Sequence, residues 1–131
     1  MDKIRILVVD DDVGLSRLVA ISLEKTRLYE VRVENRSRQA LACAREFRPQ
    51  LVLLDVDMPG MDGGAVAAQL RADTSLSDLH ILFFTSLLSA KEAGETLIRR
   101  GDDLFLPKPI DTAALVRSIE TVLLQSPTRA H

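Results

Sequence analysis

Cysteine, histidine and unbroken apolar length are all scarce in this 131-residue chain. Cys43 is the only cysteine, so no disulfide framework can form, and a reducing compartment is expected. The two histidines are His80, ahead of an apolar run, and His131, the last residue. They are too few and too badly placed for the nitrogen- and sulfur-rich ligand sets that zinc favours. No apolar stretch approaches ~18 residues, so no segment reads as a membrane span. The opening Met1-Asp2-Lys3-Ile4-Arg5 has neither the basic start nor the long apolar stretch of a signal peptide. A cytoplasmic location is expected. Excess positive charge is also missing: 17 basic residues face 19 acidic ones, for a net charge of −2. Arg36, Arg38, Arg45 and Arg48 gather around one predicted helix, with no aromatic residues interleaved for base stacking. They read as a solvated face, and neither nucleic acid nor membrane is an expected partner.

What remains is an ordinary globular composition, 47% hydrophobic and 27% charged. The length suits one domain, expected over residues 1–125, with a frayed, disordered tail over 126–131. No linker, repeat or second domain is evident. Strand-length apolar runs alternate with helix-period segments throughout. Strands are expected near Ile4–Val9, Tyr29–Glu34, Leu51–Leu54, His80–Phe84 and Asp103–Leu106. Helices are expected near Val13–Lys25, Ser37–Phe47, Gly63–Ala72, Ser89–Arg100 and Asp111–Gln125. Ile6-Leu7-Val8-Val9 is apolar without alternation, as in strands covered on both faces. Five strand–helix units imply a doubly wound, flavodoxin-like parallel sheet of the (βα)5 kind, with right-handed crossovers and strand order 2-1-3-4-5. Asp111 is a good N-cap, and Ser89-Ala90-Lys91-Glu92 has the form of a capping box. Arg99-Arg100-Gly101 reads as a helix end with cations and a C′ glycine. Gly94 weakens that fourth helix by ~1 kcal/mol relative to alanine, and it is the element expected to move.

In an open parallel sheet, ligands bind outside the carboxyl ends of the strands. Asp10, Asp11 and Asp12 end the first expected strand, Asp55 ends the third, Thr85 ends the fourth, and Lys108 follows the fifth. The fold therefore gathers them on one edge. Two carboxylates ~4 Å apart repel by ~4 kcal/mol at an effective dielectric near 20, so such a cluster either shares protons or binds a cation. All-oxygen ligands with room for water favour Mg²⁺. A cation there leaves Asp55 as a carboxylate nucleophile able to take a phosphoryl group as an acyl phosphate. Lys108 supplies a positive charge and Thr85 a hydroxyl donor to that group.

These motifs occur in order: Val8-Val9-Asp10-Asp11, then Asp55-Val56-Asp57-Met58-Pro59-Gly60-Met61-Asp62-Gly63, Thr85-Ser86 and Lys108-Pro109. Over essentially its whole length the chain resembles a response-regulator receiver domain of two-component signalling, of the stand-alone type. The resemblance implies that Asp55 is the phosphoacceptor, charged by the phosphohistidine of a sensor histidine kinase or phosphotransfer protein. It implies Mg²⁺ held by Asp10, Asp11, Asp55 and the backbone carbonyl of Asp57, with Asp12 a helix N-cap instead of a ligand. Thr85 and Lys108 would contact phosphoryl oxygens, and Lys108-Pro109 would be a cis peptide. Phe105 sits at the family's switch-aromatic position, paired with Thr85, and without a hydroxyl it can act through packing alone. Asp57, two beyond the acceptor, and Leu87, two beyond Thr85, would tune dephosphorylation and give a long-lived phosphoryl group.

Other readings fit less well. A haloacid-dehalogenase-like phosphatase shares an Asp-x-Asp pair, but there the pair follows the first strand. Such an enzyme turns over many small substrates, whereas a receiver takes one phosphoryl group per chain and is not expected to be an enzyme. A receiver-like interaction module that is never phosphorylated would not need the full residue set. A flavodoxin-like binder would suffer repulsion between Asp10-Asp11-Asp12 and its phosphate. The signal is expected to leave through protein–protein contacts of the fourth helix, fifth strand and fifth helix, to a downstream protein or to a second copy in an activated homodimer. Leu15 and Leu18 on the first helix are expected in the core, with docking of the donor as the other use.

Overall fold

The computed structural model describes residues 2–86, 97–108 and 111–127. The strand β1 (Ile4–Val9) leads to α1 (Val13–Lys25), and β2 (Tyr29–Glu34) leads through a 3₁₀ turn at Ser37–Gln39 into α2 (Ala40–Phe47). Then come β3 (Leu51–Asp55), α3 (Gly63–Ala72), a 3₁₀ turn at Thr74–Leu76 and β4 (His80–Thr85). A hairpin of β5 (Ile98–Arg100) and β6 (Asp103–Pro107) precedes α4 (Thr112–Leu123). The sheet order is β2-β1-β3-β4-β6-β5, parallel except for the antiparallel β5–β6 pair.

The unalternating apolar runs are explained by burial on both sides of the sheet. Ile6, Val8, Leu53, Leu82 and Phe84 pack against Val19 and Leu23 of α1 and Leu115, Ile119 and Val122 of α4. Their neighbours Leu7, Val9, Val52, Leu54 and Phe83 pack on the other face, against Ala40, Ala44 and Phe47 of α2 and Val66, Ala67 and Leu70 of α3. Successive strand residues point to opposite faces, so every position needs an apolar side chain. The helix starts follow the caps expected at Asp12 and Asp111, and Asp62 adds one the sequence reading did not name. Asp12 accepts from the Leu15 N–H, Asp62 from that of Ala65, and Asp111 from that of Ala114.

The flavodoxin-like fold and the order of the five parallel strands are as expected, with one correction at the edge. Residues 98–100, read as the end of a fourth helix, form a sixth strand beside β6. Arg100 pairs with Asp103 across the two-residue turn Gly101-Asp102, and Gly101 has φ +62°. Glycine tolerates that conformation both after a helix and as the first residue of a tight hairpin. Here it serves the hairpin, which gives β6 a backbone partner on its outer side. The rest of the expected fourth helix, with its capping box and Gly94, lies outside the described residues, as do Leu87, Pro109 with its expected cis bond, and residues 128–131 of the expected tail. Leu18, expected in the core, is 60% exposed, whereas Leu15 is half-buried against it. The four arginines read as a solvated face each have a partner: Arg36 with Glu34, Arg38 with the Gly60 carbonyl, Arg45 with Asp73, and Arg48 with the Ser75 carbonyl.

Candidate functional site

Strand register sets the site. In the β1–β3 pair Val9 stands opposite Leu54, which leaves Asp10 and Asp55 level at the next step. In the β4–β6 pair Thr85 stands opposite Pro107, and the Lys108 N–H donates to the Thr85 carbonyl at 2.9 Å. Three strand ends thus deliver two carboxylates and an ammonium to one point. Lys108 Nζ donates to Asp10 Oδ2 at 2.6 Å and lies 3.2 Å from Asp55 Oδ1. All three groups are buried, their side chains only 11%, 3% and 8% exposed for Lys108, Asp10 and Asp55. Asp11, exposed, completes a cluster in which one carboxylate oxygen from each of Asp10, Asp11 and Asp55 lies within 4.8 Å of the others.

The electrostatics follow from this crowding. Burial, followed by the neighbouring Asp10 charge, pushes the Asp55 carboxyl up to about 6, against the opposing pull of Lys108. Burial alone would lower Lys108, but the hydrogen bond and charge of Asp10 and the charge of Asp55 outweigh it, so the ammonium is held above its usual range. The ammonium also stands 5.4 Å above the Phe84 ring. The donor set at the cluster is all carboxylate, with no histidine or cysteine in it, which fits a hard divalent cation.

Asp55 stands at a backbone contact without slack. Helix α3 begins flush against the acceptor strand: the Gly63 N–H donates to the Val56 carbonyl at 2.8 Å. A Cβ at Gly63 would be driven into the Asp55 carbonyl oxygen and stand 2.9 Å from the Val56 Cα. Only glycine fits there.

The structure brings together Asp10, Asp11, Asp55 and Lys108, with Thr85 buried at the same edge. The Asp57 side chain is exposed and stands apart from the carboxylate cluster. Phe105 lies on β6, half-buried, its ring stacked on Phe83 at 4.9 Å between centroids. Leu15 and Leu18 line a cavity of about 300 Å³ with Phe84, Asp111 and Leu115, between α1 and α4. Sequence reasoning missed Asn35. Its amide donates to the Asp10 carbonyl at 2.8 Å and to the buried Ser16 hydroxyl at 2.9 Å. An amide side chain directly after an expected strand, on the same edge as the acids, was the available signal.

The response regulator receiver domain family matches residues 6–120 of this chain. The chain belongs to that family. This receiver is 38% identical over 116 residues to the DNA-binding response regulator MtrA of Mycobacterium tuberculosis, an alignment covering 87% of the chain and 49% of MtrA. It is 36% identical over 118 residues to the response regulator PleD of Caulobacter vibrioides, covering 90% of the chain and 26% of PleD. The receiver spans about half the length, or less, of these curated relatives. Among solved structures it resembles the chemotaxis response regulator CheY4 of Vibrio cholerae, with a TM-score of 0.77 and 27% identity, covering 93% of the receiver and all of CheY4. A haloacid-dehalogenase-type phosphatase is not favoured by this kinship, and the Asp55-x-Asp57 pair stands at the end of the third strand instead of the first. No helix among the described residues is long and apolar enough to cross a membrane.

Proposed function

We propose that this receiver, acting as a unit over residues 1–125, takes a phosphoryl group onto the Asp55 carboxylate from the phosphohistidine of a sensor histidine kinase or phosphotransfer protein. The observation that carries the reading is the convergence of Asp10, Asp55 and Lys108 within hydrogen-bonding distance at the carboxyl edge of the sheet. Mg²⁺ held by the carboxylates of Asp10, Asp11 and Asp55 and the backbone carbonyl of Asp57 would supply positive charge to the phosphoryl oxygens.

The chain's own groups do the rest. An Asp55 Oδ attacks phosphorus, the N–P bond of the donor breaks with its electron pair left on the imidazole, and a mixed anhydride results. Lys108, already paired with Asp55 Oδ1, is placed to follow the negative charge onto the transferred group, and Thr85 lies at the same edge to donate its hydroxyl. The raised Asp55 pKa means that part of the population carries a proton near neutrality, and that proton must leave before attack. Hydrolysis reverses the gain: water attacks phosphorus and the Asp55 carboxylate departs. The domain assists both steps on itself and turns over no free substrate.

Added charge at Asp55 draws Thr85 inward, and Phe105, anchored on Phe83, repacks in response. The signal leaves through protein contacts of the face built on β6 and α4, either with a downstream protein or with a second copy. Leu15, Leu18 and the cavity they line between α1 and α4 form the surface on which the donor docks. Incubation with a small phosphodonor and Mg²⁺, read by intact mass, should add one phosphoryl group to the wild type and none to Asp55→Asn. An unmodified wild type, or an equally modified variant, would overturn the reading.

A further inference from the structure

The metal ligands proposed above come from two separate places, the loop after β1 (Asp10, Asp11) and the end of β3 with the loop that follows it (Asp55, Asp57). A third connection, after β2, contributes no acid to them, yet it touches both. Asn35 donates its amide to the Asp10 carbonyl at 2.8 Å, and its second contact, with the Ser16 hydroxyl at 2.9 Å, fixes the amide's orientation against α1. Two residues on, the buried Ser37 hydroxyl donates to the Pro59 carbonyl at 3.3 Å. Its neighbour Arg38 reaches the next carbonyl, that of Gly60, at 3.4 Å. Gly60 has φ +84°, and a Cβ there would stand 3.4 Å from Arg38 Nε, so the loop backbone and the guanidinium lie against each other. Three residues of one four-residue segment therefore hold carbonyls of both acidic loops.

We propose that Asn35, Ser37 and Arg38 form a strut that sets the spacing of the two acidic loops and thereby the affinity of the site for a divalent cation. Carboxylates delivered by two loops repel one another, and a pair of loops free to part would relieve that repulsion by opening. The two neutral donors, Asn35 and Ser37, resist opening without adding charge, and the exposed Arg38 guanidinium adds its bond from the rim. They are positioning residues and do not touch the reacting atoms. Groups that orient metal ligands from behind typically change affinity 10–100-fold when removed. The inference rests on the phosphoacceptor reading and deepens it.

The test compares Mg²⁺ affinity by calorimetry with metal-free melting temperature, in the full chain, for Asn35→Ala, Ser37→Ala and Arg38→Ala. Affinity should fall about tenfold for each of the first two. For Arg38, whose guanidinium is exposed, it should fall about twofold. Ser37→Thr, which keeps the hydroxyl, should restore it. Phosphorylation by a small phosphodonor should return to the wild-type rate once Mg²⁺ saturates. Thr121→Ala removes a comparable hydroxyl-to-carbonyl bond on the remote face of α4 and should leave affinity unchanged. If Asn35→Ala does not fold, the Ser37 and Arg38 variants carry the test. Variants that melt earlier but bind Mg²⁺ as the wild type does would overturn the strut alone. A wild type that neither binds Mg²⁺ nor accepts phosphoryl would overturn the phosphoacceptor reading with it.

Discussion

The two ends of this sheet handle charge in opposite ways. At the amino end, cations either face neutral acceptors or pair one to one with a carboxylate, as Arg45 does with Asp73 and Arg71 with Asp103. Arg5 Nε donates to the Phe47 and Arg48 carbonyls at 3.1 and 2.7 Å, and its backbone N–H donates to Gln50 Oε1 at 2.8 Å. His80 sits between the Gln50 and Gln125 carbonyls, and Arg48 caps the Ser75 carbonyl at 2.7 Å. At the carboxyl end, two buried carboxylates share one ammonium, and a third stands beside them. The first arrangement satisfies backbone groups and lowers the energy of the fold. The second leaves an excess of negative charge in a place where water is scarce. The difference separates an edge whose charges are matched from one where carboxylates outnumber the cation they share.

Removing the ammonium should break this comparison most severely. Lys108→Ala leaves Asp10 and Asp55 buried without their cation, at a cost of about 3–5 kcal/mol to the metal-free fold. It should also slow phosphorylation about 10²–10³-fold, as seen in urea denaturation and in phosphodonor time courses.

Asp55→Asn should have the opposite effect on stability. Because the Asp55 pKa is raised to about 6, the native state keeps a proton that the unfolded state releases near pH 4. This residue's contribution therefore declines as pH rises from about 4 to about 6 and stays low above that. The metal-free variant should gain of the order of 2–3 kcal/mol at pH 7 and almost nothing at pH 3.5. Denaturation curves of wild type and variant that stay parallel across this range would count against a raised Asp55 pKa.

On the quieter edge, Gln50→Ala removes the acceptor for the Arg5 N–H and should cost about 1 kcal/mol while leaving phosphorylation rates unchanged. A change in rate there would mean that the two ends are coupled. The smallest effect belongs to Asp57, exposed beside the acceptor loop. Even at ~4 Å an exposed anion is worth only about 1 kcal/mol in water, and Asp57 stands apart from the cluster, so Asp57→Asn should hasten loss of the phosphoryl group by less than about fivefold. A phosphoryl half-life equal to that of the wild type would remove Asp57 from the account.

Much of this was legible in the sequence, for a physical reason. Strands buried on both faces cannot alternate, so Ile6-Leu7-Val8-Val9 and Leu51-Val52-Leu53-Leu54 announce themselves, and the acids that interrupt such runs mark their exits. The lysine was legible for the same reason, following the last parallel strand. The hairpin was not, because Arg99-Arg100-Gly101 serves equally as a helix end or as a strand entering a turn, and only φ and pairing decide. Leu18 was misplaced because helical spacing gives a period without saying how far the covered stripe extends. Asn35 offered only the weak signal of an amide after a strand, and Ser37 stayed hidden because its bond ends on a carbonyl, which leaves no trace in residue type.

The bond from Lys108 to Asp10 joins residues 98 apart in a chain of 131. Between them the sheet runs through β3 and β4, the kind of non-local pairing that slows folding. Residues through Lys108, just past β6, are therefore needed before the Asp10 and Asp55 carboxylates have their ammonium. The paired charges thus act as a clasp that ties the chain's first strand to its last parallel one.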